Sequence, residues 1–332
     1  MIVPKYWAEG RAHHREKGKQ VTVRRYGWSD ASQADAQTSA DARAQEALAR
    51  VLSGEKLHRR DHKVAYNGAE GLPIREEILS THGDAVITRN SYGAHCLNTP
   101  NVLFADVDFG ESLWWKSTSY LIAAAITMFV FLWMTADCCE ERSSRFWLFV
   151  GTLIGTAIVC RKLSEWLRKL LLNRAGGAAN ATQNRIRGFA ARHPDWGLRV
   201  YRTPAGFRVV ASHATFTASQ PEVAECFSSL RVDRIYVRMC LNQQCFRARL
   251  TAKPWRMGMS GHMRPRPGVW PIKPEQVPVR AAWVAEYERV ANGFAACRFI
   301  EKLGNAIVHP DVRSVIELHD AQSRAHSELP LA

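Results

Sequence analysis

Residues 98–112, NTPNVLFADVDFGES, set two acids, Asp106 and Asp108, at the end of an apolar run. A buried carboxylate without a partner is costly, so the pair asks for a cation. On a strand the two share a face, about 7 Å apart. Converging carboxylates hold Mg2+ or Mn2+, hard ions that neutralise phosphate charge. The competing reading is a strand end whose acids are simply solvated. A second constellation is YRTPAGFRVVASH at residues 201–213, where Arg202 and Arg208 flank a tight turn and His213 lies on the returning strand. Arginines at such a turn grip phosphates bidentately, or they decorate an ordinary surface hairpin.

The third is CFRARLTAKPWRMG, residues 245–258. Arg247 and Arg249 share one strand face, and Lys253, Trp255 and Arg256 follow. Cations interleaved with an aromatic ring suit contact with phosphates and bases; a solvated basic edge strand fits equally well. Cys240 and Cys245, spaced C-x4-C, could take zinc with Cys297, His309 or His319. The spacing departs from the tight C-x2-C pattern, and buried structural thiols are common. His319 and Asp320 end a strand-like run, SVIEL. Asp320, or Asp233, is the candidate for a third metal-binding acid.

The elements that would position these groups are mixed. QVTVRRYGW reads as a strand, followed by an Ala-rich helix with Ser29 or Asp30 as N-cap and Gly54 as its stop. Few large anchors mark that helix, so an edge position is expected. AYNGAEGLPIREEIL reads as a turn into a short helix, and residues 84–109 as two strands. WGLRVYRTPAGFRVVASHATF reads as a hairpin, QPEVAECFSSL as a helix with an early proline, and CFRARLTAKPW as a strand. A Pro/Gly-rich loop, then the helix VRAAWVAEYERVANGFA, lead to the end of the fold. Strands and helices do not alternate strictly, so the expected class is α+β with a mixed sheet.

The chain has 332 residues, enough for a full core, with 45 Lys and Arg against 31 Asp and Glu. The balance of +14 favours anionic partners: nucleic acid, nucleotides or an anionic membrane surface. Eight scattered cysteines suit a reducing compartment, and the first residues have no apolar core of signal-peptide type, so export by that route is not expected. Residues 119–136 and 146–160 are uncharged and apolar, followed by the basic amphipathic RKLSEWLRKLLLNR. They predict a two-helix transmembrane hairpin, with tryptophans near its ends. Basic flanks outside the hairpin predict a two-pass inner-membrane protein with both termini cytoplasmic. The expected division is a basic N-terminal region (1–84), a first part of a cytoplasmic α+β domain (85–112), the hairpin and its extension (113–174), and the second part of that domain (175–332).

A strand-end D-x-D, a basic hairpin ending in small-x-His and a later acid together resemble the archaeo-eukaryotic primase superfamily. The resemblance implies that Asp106 and Asp108 bind divalent ions, that Ala211-Ser212-His213 contacts nucleotide phosphates, and that Asp320 or Asp233 completes the metal site. It covers a few positions between about residues 85 and 320. The expected function is then a membrane-tethered, metal-dependent nucleotidyltransferase of primase type, with Asp106, Asp108 and His213 catalytic. Arg202, Arg208, Arg247, Arg249, Lys253 and Arg256 would hold phosphates, and Asp106, Asp108 and Asp320 the metal. Two alternatives stand beside it: a D-x-D glycosyltransferase using sugar nucleotides, and a membrane-anchored module that binds nucleic acid or a protein partner without catalysis. Phe109 and Glu111 count against a phosphohydrolase of the haloacid dehalogenase type.

Overall fold

The computed structural model describes residues 1–16, 19–59, 73–109, 176–259, 262–266, 268 and 270–332, with isolated helical positions between 122 and 174. The elements with defined bounds are, in order, β1 (Tyr6–Glu16), β2 (Lys19–Ser29), α1 (Gln33–Leu52), β3 (Glu77–His82), β4 (Ala85–Arg89), β5 (His95–Thr99) and β6 (Phe104–Asp108). Then come α2 (Ala178–Arg192), β7 (Gly197–Thr203), β8 (Gly206–Ala211), α3 (Pro221–Leu230), α4 (Arg234–Gln243), β9 (Phe246–Arg249), α5 (Val277–Ala291), β10 (Arg298–Gly304) and α6 (Pro310–Ser323). The chain forms two units: residues 1–107 with 189–332, and residues 108–188.

The first unit is α+β. Strands β1 and β2 pair antiparallel along their whole length, from Tyr6↔Ser29 to Glu16↔Lys19. Helix α1 starts at Ser32, whose side chain accepts from the Asp35 N–H, and its buried residues Ala36, Ala40, Ala44 and Ala47 recur on one face. That stripe meets Gly10 and Gly27: a Cβ on Gly27 would stand 2.1 Å from the Ala40 nitrogen, and one on Gly10 2.2 Å from the Ala40 oxygen. Small residues on both sides bring helix and ribbon backbones together. The alanines are therefore contact residues, and the helix does not sit loosely on an edge.

Two four-stranded sheets follow, in the orders β10-β7-β8-β6 and β3-β4-β5-β9. Strands β6 and β9 end the two orders, and α4 joins them through one side chain. The Tyr236 hydroxyl lies 2.9 Å from the Phe104 carbonyl and 3.1 Å from the Arg247 carbonyl, and it accepts from the Arg247 N–H at 3.2 Å. A phenol thus satisfies backbone groups that a ladder would otherwise have to pair. Burial holds this phenol well above its ordinary pKa, so it stays a hydroxyl.

Several expectations change here. Residues 77–82 form a strand, where a short helix was expected; the rest of that expected segment, up to residue 72, lies outside the described residues. Residues 84–109 hold three strands, since the Asn90 turn splits the first apolar run. SVIELHD belongs to helix α6, whose buried Val312, Val315, Ile316, His319 and Ser323 follow helical spacing.

The apolar runs 119–136 and 146–160 lie outside the described residues apart from isolated helical positions. Among the described residues no helix is long and apolar enough to cross a membrane. At 20 residues α1 has the length, but it carries Asp35, Asp41, Arg43, Glu46 and Arg50. The inserted transmembrane hairpin, the two-pass inner-membrane location and the membrane-tethered function are corrected on this finding.

Candidate functional site

Asp106 receives its cation from the neighbouring strand. Arg208, on β8 and only 1 % exposed, donates to both Asp106 oxygens, from Nε at 2.8 Å and from Nη2 at 3.3 Å. Its Nη1 donates to the Arg249 carbonyl at 2.8 Å and lies 3.2 Å from His319 Nε2. Burial pushes the Asp106 carboxyl upward, but Arg208 outweighs it and the net shift is downward. Arg208 itself is held above its ordinary value, since Asp106 more than offsets its desolvation.

The network continues beyond Arg208. His319 Nδ1 sits 3.0 Å from Asp320 Oδ1, and Asp320 Oδ2 accepts from Arg199 at 2.7 Å and lies 3.1 Å from His326 Nε2. Arg199 also donates to the Tyr201 hydroxyl at 2.8 Å. Asp320 is held at about 2: burial acts upward, and hydrogen bonds from His319 and Tyr201, with the Arg199 charge, prevail. Cys297 Sγ lies 3.8 Å from His319 Nε2 and 3.3 Å from Ser323 Oγ. Burial raises the thiol pKa, but His319 and Arg208 bring it below the ordinary value; the imidazole moves up, since Cys297 and Asp320 outweigh its desolvation.

Cysteine, histidine and aspartate in this order match a nucleophile, its base and the base's orienter. Cys297 and His319 are both fully buried, so the sulfur in this conformation meets no substrate. The cluster instead ties β6, β8, β9 and α6 together by charge-assisted hydrogen bonds.

The other predicted residues do not join it. Asp108 closes β6 at an exposed position. Arg202 lies over the Phe207 ring at 5.3 Å. The His213 ring packs against Trp196 and Phe216, and burial lowers its pKa. Arg247 is buried in an ion pair with Glu76, which also accepts from Thr88 at 2.6 Å. Asp233 caps α4, accepting from the Ile235 and Tyr236 N–H groups, and His309 caps α6. Burial pushes the Cys245 thiol to about 11 and raises Cys240. Among the described residues no three His, Cys, Asp or Glu side chains are placed to hold a metal ion. The nucleotidyltransferase and metal-binding expectations at Asp106, Asp108 and Asp320 find no support among the described residues; the cation beside Asp106 is the Arg208 guanidinium.

What remains of the phosphate-binding set gathers beyond β9. Trp255, 49 % exposed, has Tyr92 edge-on at 5.3 Å, His262 at 5.6 Å and the Lys253 ammonium 5.5 Å from its ring centre. Arg256 follows it directly. The Arg249 Nε is buried with no hydrogen-bond partner. Tyr92 is presented by a turn in which Asn90 Oδ1 accepts the N–H groups of Tyr92 and Ala94. From beneath, Met257, Ala252, Ala94 and Tyr287 form an apolar cluster that anchors the segment. Residues 251–273 carry five Lys and Arg and no Asp or Glu. Sequence reading missed Tyr92 and His262; the N-x-Y-G turn at residues 90–93 signals only that a side chain is displayed there.

Neither a family model, nor a curated protein, nor a solved structure matches this chain.

Proposed function

We propose that the protein binds single-stranded nucleic acid at the surface around Trp255. The observation that carries this is the half-exposed indole held between Tyr92 and His262 with a lysine ammonium against its ring. Bases stack on such a ring whatever their identity, and neighbouring cations follow the phosphates. Arg256, Arg264 and Arg266 supply charge along the same acid-free segment.

The test is fluorescence anisotropy with labelled single-stranded DNA and RNA oligomers at several salt concentrations. One stacked base is worth about 1–3 kcal/mol, so Trp255→Ala should weaken binding about 5- to 150-fold. Arg256→Ala should lower the slope of log affinity against log salt by roughly one phosphate contact. Wild-type protein that fails to bind at low salt, or a Trp255→Ala protein that binds like wild type, refutes the proposal.

A further inference from the structure

The β1–β2 ribbon has two unlike faces. Ala8, Gly10 and Ala12, opposite Gly27, Arg25 and Val23, form the face that α1 covers. Arg25 turns its guanidinium away to the Arg24 and His58 carbonyls. The opposite face carries the cross-strand pairs Arg11↔Arg24, His13↔Thr22 and Arg15↔Gln20. Arg11, His13, Arg15 and Gln20 are exposed there, and Thr22 and Arg24 are half-buried. Glu9, at the base of this face, accepts from Arg11 at 2.6 Å and from the Tyr26 hydroxyl at 3.2 Å, and it lies 4.0 Å from Arg24. His13 meets Thr22 at 3.0 Å. These contacts fix where the two guanidiniums start without occupying all their donors.

A two-stranded ribbon fits the major groove of B-form DNA, which is about 12 Å wide. The five residues per strand that carry these pairs, 11–15 and 20–24, extend about 16 Å, roughly half a turn of that duplex, and the face ends where Arg75 covers the Tyr26 ring. The exposed and half-buried side chains of this face include types that read base edges there: arginine for guanine O6 and N7, glutamine for adenine, threonine for either. The deep, narrow major groove of A-form RNA does not admit the same element. We infer that the outer face of this ribbon, with Arg11, Arg24, His13, Thr22, Arg15 and Gln20, is a second binding site that enters the major groove of duplex DNA. It does not rest on the single-strand surface at Trp255, and the two sites are separable by mutation.

The experiment compares the full chain and its variants on a 20-base-pair duplex DNA, duplex RNA of the same sequence, and an unstructured single strand. Arg11→Ala with Arg24→Ala should weaken duplex DNA binding about tenfold or more, leaving single-strand binding and Tm unchanged. Arg11→Lys with Arg24→Lys keeps the charge and should lose preference among duplex sequences with the salt dependence intact. Methylation of guanine N7 in the duplex should weaken wild-type binding. Trp255→Ala should affect only the single strand, so failure of that reading is seen in a different arm. Wild-type indifference to duplex DNA, equal affinity for duplex RNA, insensitivity to N7 methylation or an unaffected double-alanine variant would each overturn the inference.

Discussion

Replacing Tyr236 by Phe removes one oxygen from the interior and leaves the ring in place against Phe227. That oxygen accepts from the Arg247 N–H and lies within hydrogen-bond distance of the Phe104 and Arg247 carbonyls. Phe104 is fully buried and Arg247 is nearly so, so water does not replace what is lost. The variant strands one backbone N–H and at least one carbonyl, each costing about 1–3 kcal/mol, with the bonds themselves included. Partial relaxation of two strand ends places the sum at about 2–4 kcal/mol. For a unit of this size each kcal/mol shifts Tm by about 2–4 °C, which predicts a fall of about 4–16 °C. The assay is thermal unfolding of the full chain by near-ultraviolet circular dichroism, with amide exchange measured at Arg247. A Tm within about 2 °C of wild type, with the Arg247 amide still protected, refutes the claim that this hydroxyl joins the two sheets.

Gly27→Ala drives a methyl group into the Ala40 backbone, 2.1 Å from its nitrogen, and should destabilise the ribbon and α1 by about 1–3 kcal/mol or more. Faster amide exchange in α1 reports it. Asp320 gives the pH dependence. Its folded-state value, about 2, lies below the ordinary carboxylate value, so its contribution is complete above about pH 4 and disappears as the pH falls towards 2. That contribution is about 2–3 kcal/mol, and acid titration of stability in wild type and Asp320→Asn measures it. The variant should lose most of the slope in that window.

Local pattern made much of the second half readable. The turn at residues 203–206, the early proline of α3 and the helix at 277–291 are written in residue types that act over a few positions. The Asp106 site was half legible. Two acids ending an apolar strand announce a need for positive charge, and nothing local says whether a metal or an arginine meets it. The answer comes from Arg208, 102 positions away, brought alongside by sheet pairing. His319 and Asp320 were misplaced because SVIEL alone is short enough for either period; including Val312 and Ser323 settles it as a helix. The segment of α4, RIYVRMCLNQ, has too many polar residues to stand out, although it carries the tyrosine that spans the sheets. The Ala-rich helix was recognised, but its partners Gly10 and Gly27 acquire meaning only once the ribbon pairs them opposite it.

That close approach has a consequence for recognition. Turning α1 about its axis, or sliding it by one residue, would set Gln37 or Asp41 where Ala36 and Ala40 now touch glycine backbone. The helix therefore has a single register on the ribbon, and the ribbon a fixed twist. A surface that arrives already shaped loses little conformational entropy when it docks, so its affinity is not spent on ordering the chain.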